Sequence, residues 1–137
     1  MEIQALSPTA IERDVIKPRE YQTLLFGEVL GKIPDPFPFW HSTQAKTPGL
    51  NLSSYSNKTV DKLLEDIRKE LDQTERAELL EHMQELVLAD VPAIFLYNFD
   101  YTYFVSKQVR GIQTPVITDP SFRFAGIGDW YIKTKRA

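Results

Sequence analysis

Two stripes of apolar residues at helical spacing limit what this chain can fold into more than any other feature. Val60, Leu63, Leu64, Ile67 and Leu71 fall at i, i+3, i+4, i+7 and i+11, which places them on one face of a helix. Leu79, Leu80, Met83, Leu86 and Val87 repeat the pattern. Neither stripe is stable facing water, so the two helices are expected to pack. Ser56 stands where an N-cap for the first helix is expected, and Glu65 precedes Lys69 by four residues in the favourable order for an ion pair. Between the stripes, Asp72 and Glu75 sit at capping-box spacing and restart the helix. Asp90-Val91-Pro92 ends the second helix, because the residue before a proline is pushed out of right-handed helical geometry.

The flanks read differently. Ile3–Leu6 is expected to be a short strand. Ser7-Pro8 caps and opens a helix through Val15, with proline at a first-turn position that needs no N–H. Tyr21–Phe26 is expected to be a second strand, which makes a βαβ unit with a right-handed crossover. Beyond the second helix, Ala93–Tyr97 and Tyr101–Val105 read as strands around the polar break Asn98-Phe99-Asp100. The fold class is therefore α/β: a βαβ start, two packed helices, then strands. Composition changes near residue 92, from helical and charged to β-rich and aromatic, and a boundary between residues 1–91 and 92–137 is placed there. The stretch Gly27–Ser56 is too long for an ordinary connection and carries Phe37, Phe39, Trp40, Leu50 and Tyr55, which argue for function over disorder.

Composition narrows the chemistry. With 137 residues, 42% of them hydrophobic, the chain is large enough for one real core. A net charge of −3 gives no global field to draw in nucleic acid, and the basic residues Lys133, Lys135 and Arg136 read as a frayed terminus. The chain has no cysteine, which removes disulfides, thiolate catalysis and thiolate metal sites. No apolar run approaches the length of a membrane span. Met1 leads straight into Glu2-Ile3-Gln4 with no export signal, so the chain is either cytoplasmic or a portion of something longer.

Catalytic patterns are mostly missing. Gly126-Ile127-Gly128 lacks the third glycine of a dinucleotide loop. Asp35, His41 and Ser42 contain the residue types of a hydrolytic triad, but their closeness in sequence argues against a base–nucleophile pair. Glu78 and His82 share a helix face and could begin a metal site, whereas a solvated acidic face opposite the leucine stripe explains them as well and is preferred.

A resemblance gathers these pieces. Tyr21-Gln-Thr-Leu-Leu-Phe-Gly-Glu-Val-Leu-Gly31 followed by Pro34-Asp-Pro-Phe-Pro-Phe-Trp-His-Ser42, then Leu50–Asn57 leading into Val60-Asp61-Lys62-Leu63-Leu64, resembles the C-terminal part of extracellular solute-binding proteins of family 5. Asp90-Val91-Pro92-Ala93-Ile94-Phe95-Leu96-Tyr97, Val109-Arg110-Gly111-Ile112 and Asp129-Trp130-Tyr131 continue the likeness in order, over about residues 21 to 132. The resemblance implies one lobe portion (1–91) and a β-rich segment (92–137) returning to the other lobe of a two-lobed binding protein. It implies capture of an oligopeptide or other small solute, delivery to the permease of an ABC importer, no catalysis, no cofactor and no metal. It further implies an extracytoplasmic, membrane-associated location, periplasmic or on the cell surface as a lipoprotein. Ligand-binding candidates by this likeness are Gly27, Glu28, Leu30, Asp35, Trp40 and Tyr55. For Trp40, packing and ligand contact weigh equally, and for Tyr55 packing weighs more. Where the family places a carboxylate for a peptide's amino group, this chain has Lys32 and Ile33, leaving Asp35 or Glu28 as substitutes and leaving another solute open. A hinge is expected near Val91–Asn98. The rivals are a self-associating interaction module built on the aromatic strands and a hydrolase or transferase using the Asp35/His41 loop.

Overall fold

The computed structural model describes residues 3–28, 35–98, 101–113 and 120–133. They fall into two compact units: Met1–Gly27 with Asp35–Phe95, and Glu28–Pro34 with Leu96–Ala137.

The first unit is built on the two striped helices. Helix α3 (Lys58–Lys69) and helix α4 (Gln73–Asp90) pack their apolar faces together. Val60, Leu63, Leu64 and Ile67 from α3 meet Met83 and Val87 from α4, with Tyr55 closing the cluster and Leu79, Leu80 and Leu86 along its edge. Asp72 caps α4 as expected, its carboxylate accepting from the amides of Thr74 and Glu75. The cap of α3 is Asn57, one residue later than Ser56. Its side-chain oxygen accepts from the amides of Thr59 and Val60. Glu65 and Lys69 form the expected i,i+4 pair at 3.7 Å, joined by Lys62 and Asp66 at 2.8 Å. Leu71 does not join its stripe. Glu70 leaves helical geometry (φ −74°, ψ 123°), the helical phase is lost, and Leu71 is 92% exposed.

Upstream, Ser7 accepts from the Ala10 amide and Pro8 opens α1 (Pro8–Ala10), which widens into a π-helical stretch over Ile11–Ile16. The four-residue helix α2 (Phe37–Trp40) starts from Asp35-Pro36.

The expected βαβ start is not formed. Ile3–Leu6 and Tyr21–Phe26 are irregular, and so are Ala93–Tyr97 and the expected strand Tyr101–Val105. A helix closes its hydrogen bonds within itself, but a strand acquires them only from a neighbour. Here Tyr21 is held by side-chain contact instead: its hydroxyl donates to Leu52 O at 2.5 Å, beside an Arg19 Nη2 bond to Gly49 O and a Thr47 hydroxyl bond to Lys17 O. Leu25 consequently remains 80% exposed.

In the second unit, β1 (Val109–Arg110) pairs antiparallel with β2 (Tyr131–Ile132), Val109 opposite Ile132 and Arg110 opposite Tyr131. This is the one ladder among the described residues. Gly111 has φ +80°, and a Cβ there would lie 2.1 Å from Asp129 O, so this turn requires glycine. Tyr103 meets Phe124 edge-on with centroids 6.2 Å apart, and Phe124 meets Trp130 at a tilt with centroids 6.0 Å apart. The described chain is thus mixed helix with a small two-stranded sheet, and no described helix is long and apolar enough to cross a membrane.

Candidate ligand-facing loop

The segment Asp35–Asn57 is organised around one buried amide. Asn51 is fully buried and satisfied in every direction. Its Nδ2 donates to the carbonyls of His41 (3.1 Å) and Tyr55 (2.9 Å), while Oδ1 accepts from the Tyr55 amide (3.0 Å) and the Ser53 hydroxyl (3.2 Å). A second tie crosses to α3, where Asp61 receives both the amide (2.8 Å) and the hydroxyl (2.6 Å) of Ser42. Gly49 permits the tight return, since a Cβ there would sit 2.1 Å from Gln44 O.

The start of the loop is fixed to α3 by charge. Arg68 Nη2 meets Asp35 Oδ2 at 2.6 Å, with Nε at 3.2 Å from both carboxylate oxygens. The Phe37 amide donates to the same carboxylate at 3.2 Å. The Arg68 hydrogen bonds hold the Asp35 carboxyl below its ordinary range, helped by the Phe37 amide and opposed by burial. The Arg68 guanidinium also lies 3.7 Å over the Phe37 ring, and that ring stacks on His41 at 4.1 Å. His41 is buried, with Nδ1 at 2.8 Å from the Thr43 hydroxyl and Nε2 at 3.8 Å from Glu65.

The aromatic lip is built by Trp40. Its ring meets Tyr55 edge-on at 6.2 Å and Phe95 at 5.9 Å, and it packs against the helical core while keeping part of its surface in solvent. Tyr55 is a core residue. Its hydroxyl donates to Asp90 at 2.6 Å, and burial, with that carboxylate, pushes its pKa up to about 12.

The structure brings Asp35, Trp40 and Tyr55 onto one scaffold but gives them different environments. The Asp35 carboxylate is committed to Arg68, Tyr55 is packed and bonded, and Trp40 is partly buried against the helical core. Gly27 and Glu28 are exposed, Gly27 has open space where a side chain would begin, and Leu30 lies outside the described residues, as do Lys32 and Ile33. Asp35, His41 and Ser42 are not arranged as a triad, because the serine hydroxyl goes to Asp61, Asp35 goes to Arg68 and His41 Nδ1 goes to Thr43. Among the described residues no group of His, Asp and Glu could hold a metal ion. Sequence reading passed over Asn51, Asp61, Arg68 and Asp90 as organisers. Asn51, Asp61 and Asp90 stand within the family-like runs, whereas Arg68 and Asp35 are 33 positions apart with nothing in the pattern to join them.

Comparison with curated proteins points one way. The chain is 32% identical over 80 residues to the probable D,D-dipeptide-binding periplasmic protein DdpA of Escherichia coli (strain K12), covering 56% of this chain and 16% of that protein. It is 29% identical over 112 residues to the oligopeptide-binding protein OppA of Bacillus subtilis (strain 168), covering 82% and 20%. It is 31% identical over 78 residues to the oligopeptide-binding protein AppA of the same organism, covering 57% and 14%. The chain therefore spans a fifth or less of the length of these relatives. No family model matches it, and no solved structure matches it. Several curated peptide-binding proteins of solute-binding family 5 thus match this chain at modest identity, as a C-terminal part of such a protein would.

Proposed function

We propose that the chain is the portion of an extracytoplasmic solute-binding protein that presents an aromatic lip to a captured peptide or similar solute, for delivery to an ABC importer. The observation that carries this reading is the loop itself. A loop tied by hydrogen bonds to its own backbone and to α3 holds Trp40 partly buried, in a chain whose relatives are named as peptide-binding proteins. Peptide binders of this kind work by main-chain hydrogen bonding and roomy contacts, with aromatic surface as a tolerant wall. Residues 1–91 belong to one lobe in this reading and 92–137 return to a second, with a hinge near Val91–Asn98. Gly27, Glu28 and Leu30 would meet ligand through backbone and charge. Asp35 would serve by fixing the loop, since its carboxylate is already paired. The function calls for no cofactor.

Intrinsic fluorescence tests this directly, in a Trp130→Phe background so that Trp40 is the reporter. Titration with trialanine and with mixed short peptides is expected to give a saturable change that Trp40→Ala removes while the far-UV signal of α3 and α4 is kept. Flat titrations with every peptide, both in this chain and in a longer protein containing it, would end the reading.

A second reading rests on a separate observation. Ile94 is 83% and Phe104 91% exposed, with Phe95, Leu96 and Tyr97 also open to solvent. Apolar surface of this extent is a liability in a monomer and favours self-association of the chain. Light scattering across a concentration series is expected to show mass rising with concentration, and a constant monomer mass would remove this reading.

A further inference from the structure

The end of α4 combines features that oppose one another. Val91 lies in left-handed geometry (φ 51°, ψ 48°), with its amide bonded to Val87 O at 3.1 Å. That bond is the usual way a helix ends, but the residue in this position is normally glycine. A β-branched residue with positive φ is an outlier. Pro92 follows, so right-handed helix is closed to Val91, and the alternative left to it is extended backbone. The preceding residue is equally misplaced. Asp90 sets a carboxylate at the negative end of its own helix. Two donors hold it there, the Tyr55 hydroxyl at 2.6 Å and Asn57 Nδ2 at 2.8 Å. Asn57 is at the same time the N-cap of α3, so the Asp90 carboxylate sits at the positive end of the neighbouring helix.

We infer that Asp90 and Val91 form a two-position latch, in which the Tyr55 and Asn57 bonds to Asp90 hold Val91 in its strained left-handed geometry and their release lets Val91 pass to extended backbone. The alternatives are few because proline has removed the intermediate one. The latch therefore switches the direction in which Ala93–Asn98 leaves the helix between two settings, with no gradual bend between them. Tyr55 is tied through the loop scaffold by Asn51, so a displacement of the loop bears on the latch through a chain of named contacts. The inference deepens the hinge placed near Val91–Asn98 and rests on that reading, but its test is made without ligand, so its failure leaves peptide binding to its own test.

The three-bond coupling between the Val91 amide and α protons reads its φ directly and tests the latch on the full chain, with the Leu64 coupling as an internal reference. Asp90→Ala removes an exposed side chain and is expected to raise the Val91 coupling from its left-handed toward its extended value, with Leu64 unchanged. Tyr55→Phe is expected to do the same. Val91→Asn, a residue that tolerates left-handed geometry, is expected to keep the left-handed coupling even when combined with Asp90→Ala. An unchanged Val91 coupling in Asp90→Ala, or an extended value in the double variant, overturns the latch. If Tyr55→Phe disturbs Leu64 as well, the decision falls to Asp90→Ala and the double variant, neither of which alters a core side chain.

Discussion

The α3–α4 pair with its loop and the stretches on either side of it both carry large apolar side chains, yet these end differently. Leu64 and Ile67 are almost wholly buried, whereas Leu25 and Phe104 stand in water. The side chains compared are of the same kind. The difference is locality: α3 and α4 satisfy their backbone within themselves and are adjacent in sequence, so a short turn brings their stripes together. The extended stretches require a partner ladder before their side chains have anything to cover. In this chain, stability belongs to the helix pair and its loop, and the apolar flanks contribute surface.

The largest expected effect follows from that contrast. Leu64→Ala removes a fully buried side chain at the centre of the cluster and is expected to cost about 3 kcal/mol, read as a lowered urea midpoint with the slope preserved. A loss below about 1 kcal/mol would mean that the helix pair is not the stabilising unit. Next is Asn51→Ala, expected to cost about 2 kcal/mol because the His41 and Tyr55 carbonyls and the Tyr55 amide lose their partner together. Asn51→Asp sharpens the point. It keeps the acceptor but aims a carboxylate at two carbonyl oxygens, and is expected to cost more than alanine does.

Acid is expected to act more weakly. Asp35 is held below its ordinary range chiefly by Arg68, and Asp90 by the Tyr55 hydroxyl and then Asn57. A carboxyl lowered in the folded state binds fewer protons there than in the unfolded chain. Its contribution is therefore complete above the unfolded value, near 3.9, and lost as pH falls through the folded value. Asp35→Asn is expected to flatten the acid limb of the stability curve. The change at neutral pH stays under about 1 kcal/mol, since both partners are nearly half exposed and water screens the pair. An unchanged acid limb would show that the Asp35–Arg68 pair does not bear on folding.

What was legible in the sequence follows the same division. The apolar stripes, the Asp72 cap, the Ser7-Pro8 start and the Glu65–Lys69 pair were readable because each is decided within four residues along the chain. Ser56 and Asn57 are both good cap formers one residue apart, and the cap falls on Asn57, whose side chain also donates to Asp90. The four expected strands failed because alternation and β-branching describe what a strand would look like without supplying its neighbour. Leu71 fits the α3 stripe by spacing alone, and the helix ends before reaching it. Within the loop, sequence identified aromatic weight but not support. The ties Ser42–Asp61, Asp35–Arg68 and Tyr55–Asp90 join positions 19, 33 and 35 apart, and no local pattern marks such pairs.

The smallest expected effect carries the most for the comparison. Leu25→Ser and Phe104→Ser, made separately, replace large apolar side chains that are more than three-quarters exposed, and each is expected to move the urea midpoint by no more than about 0.5 kcal/mol equivalent. In an apolar residue that is an unusual expectation, because the same substitution at Leu64 would cost several times more. A substantial loss at Leu25 or Phe104, appearing only at high protein concentration, would locate the missing neighbour in a second copy of the chain. A loss independent of concentration would mean that these flanks are buried within the chain in solution, and the division between a self-sufficient helix pair and exposed flanks would fall.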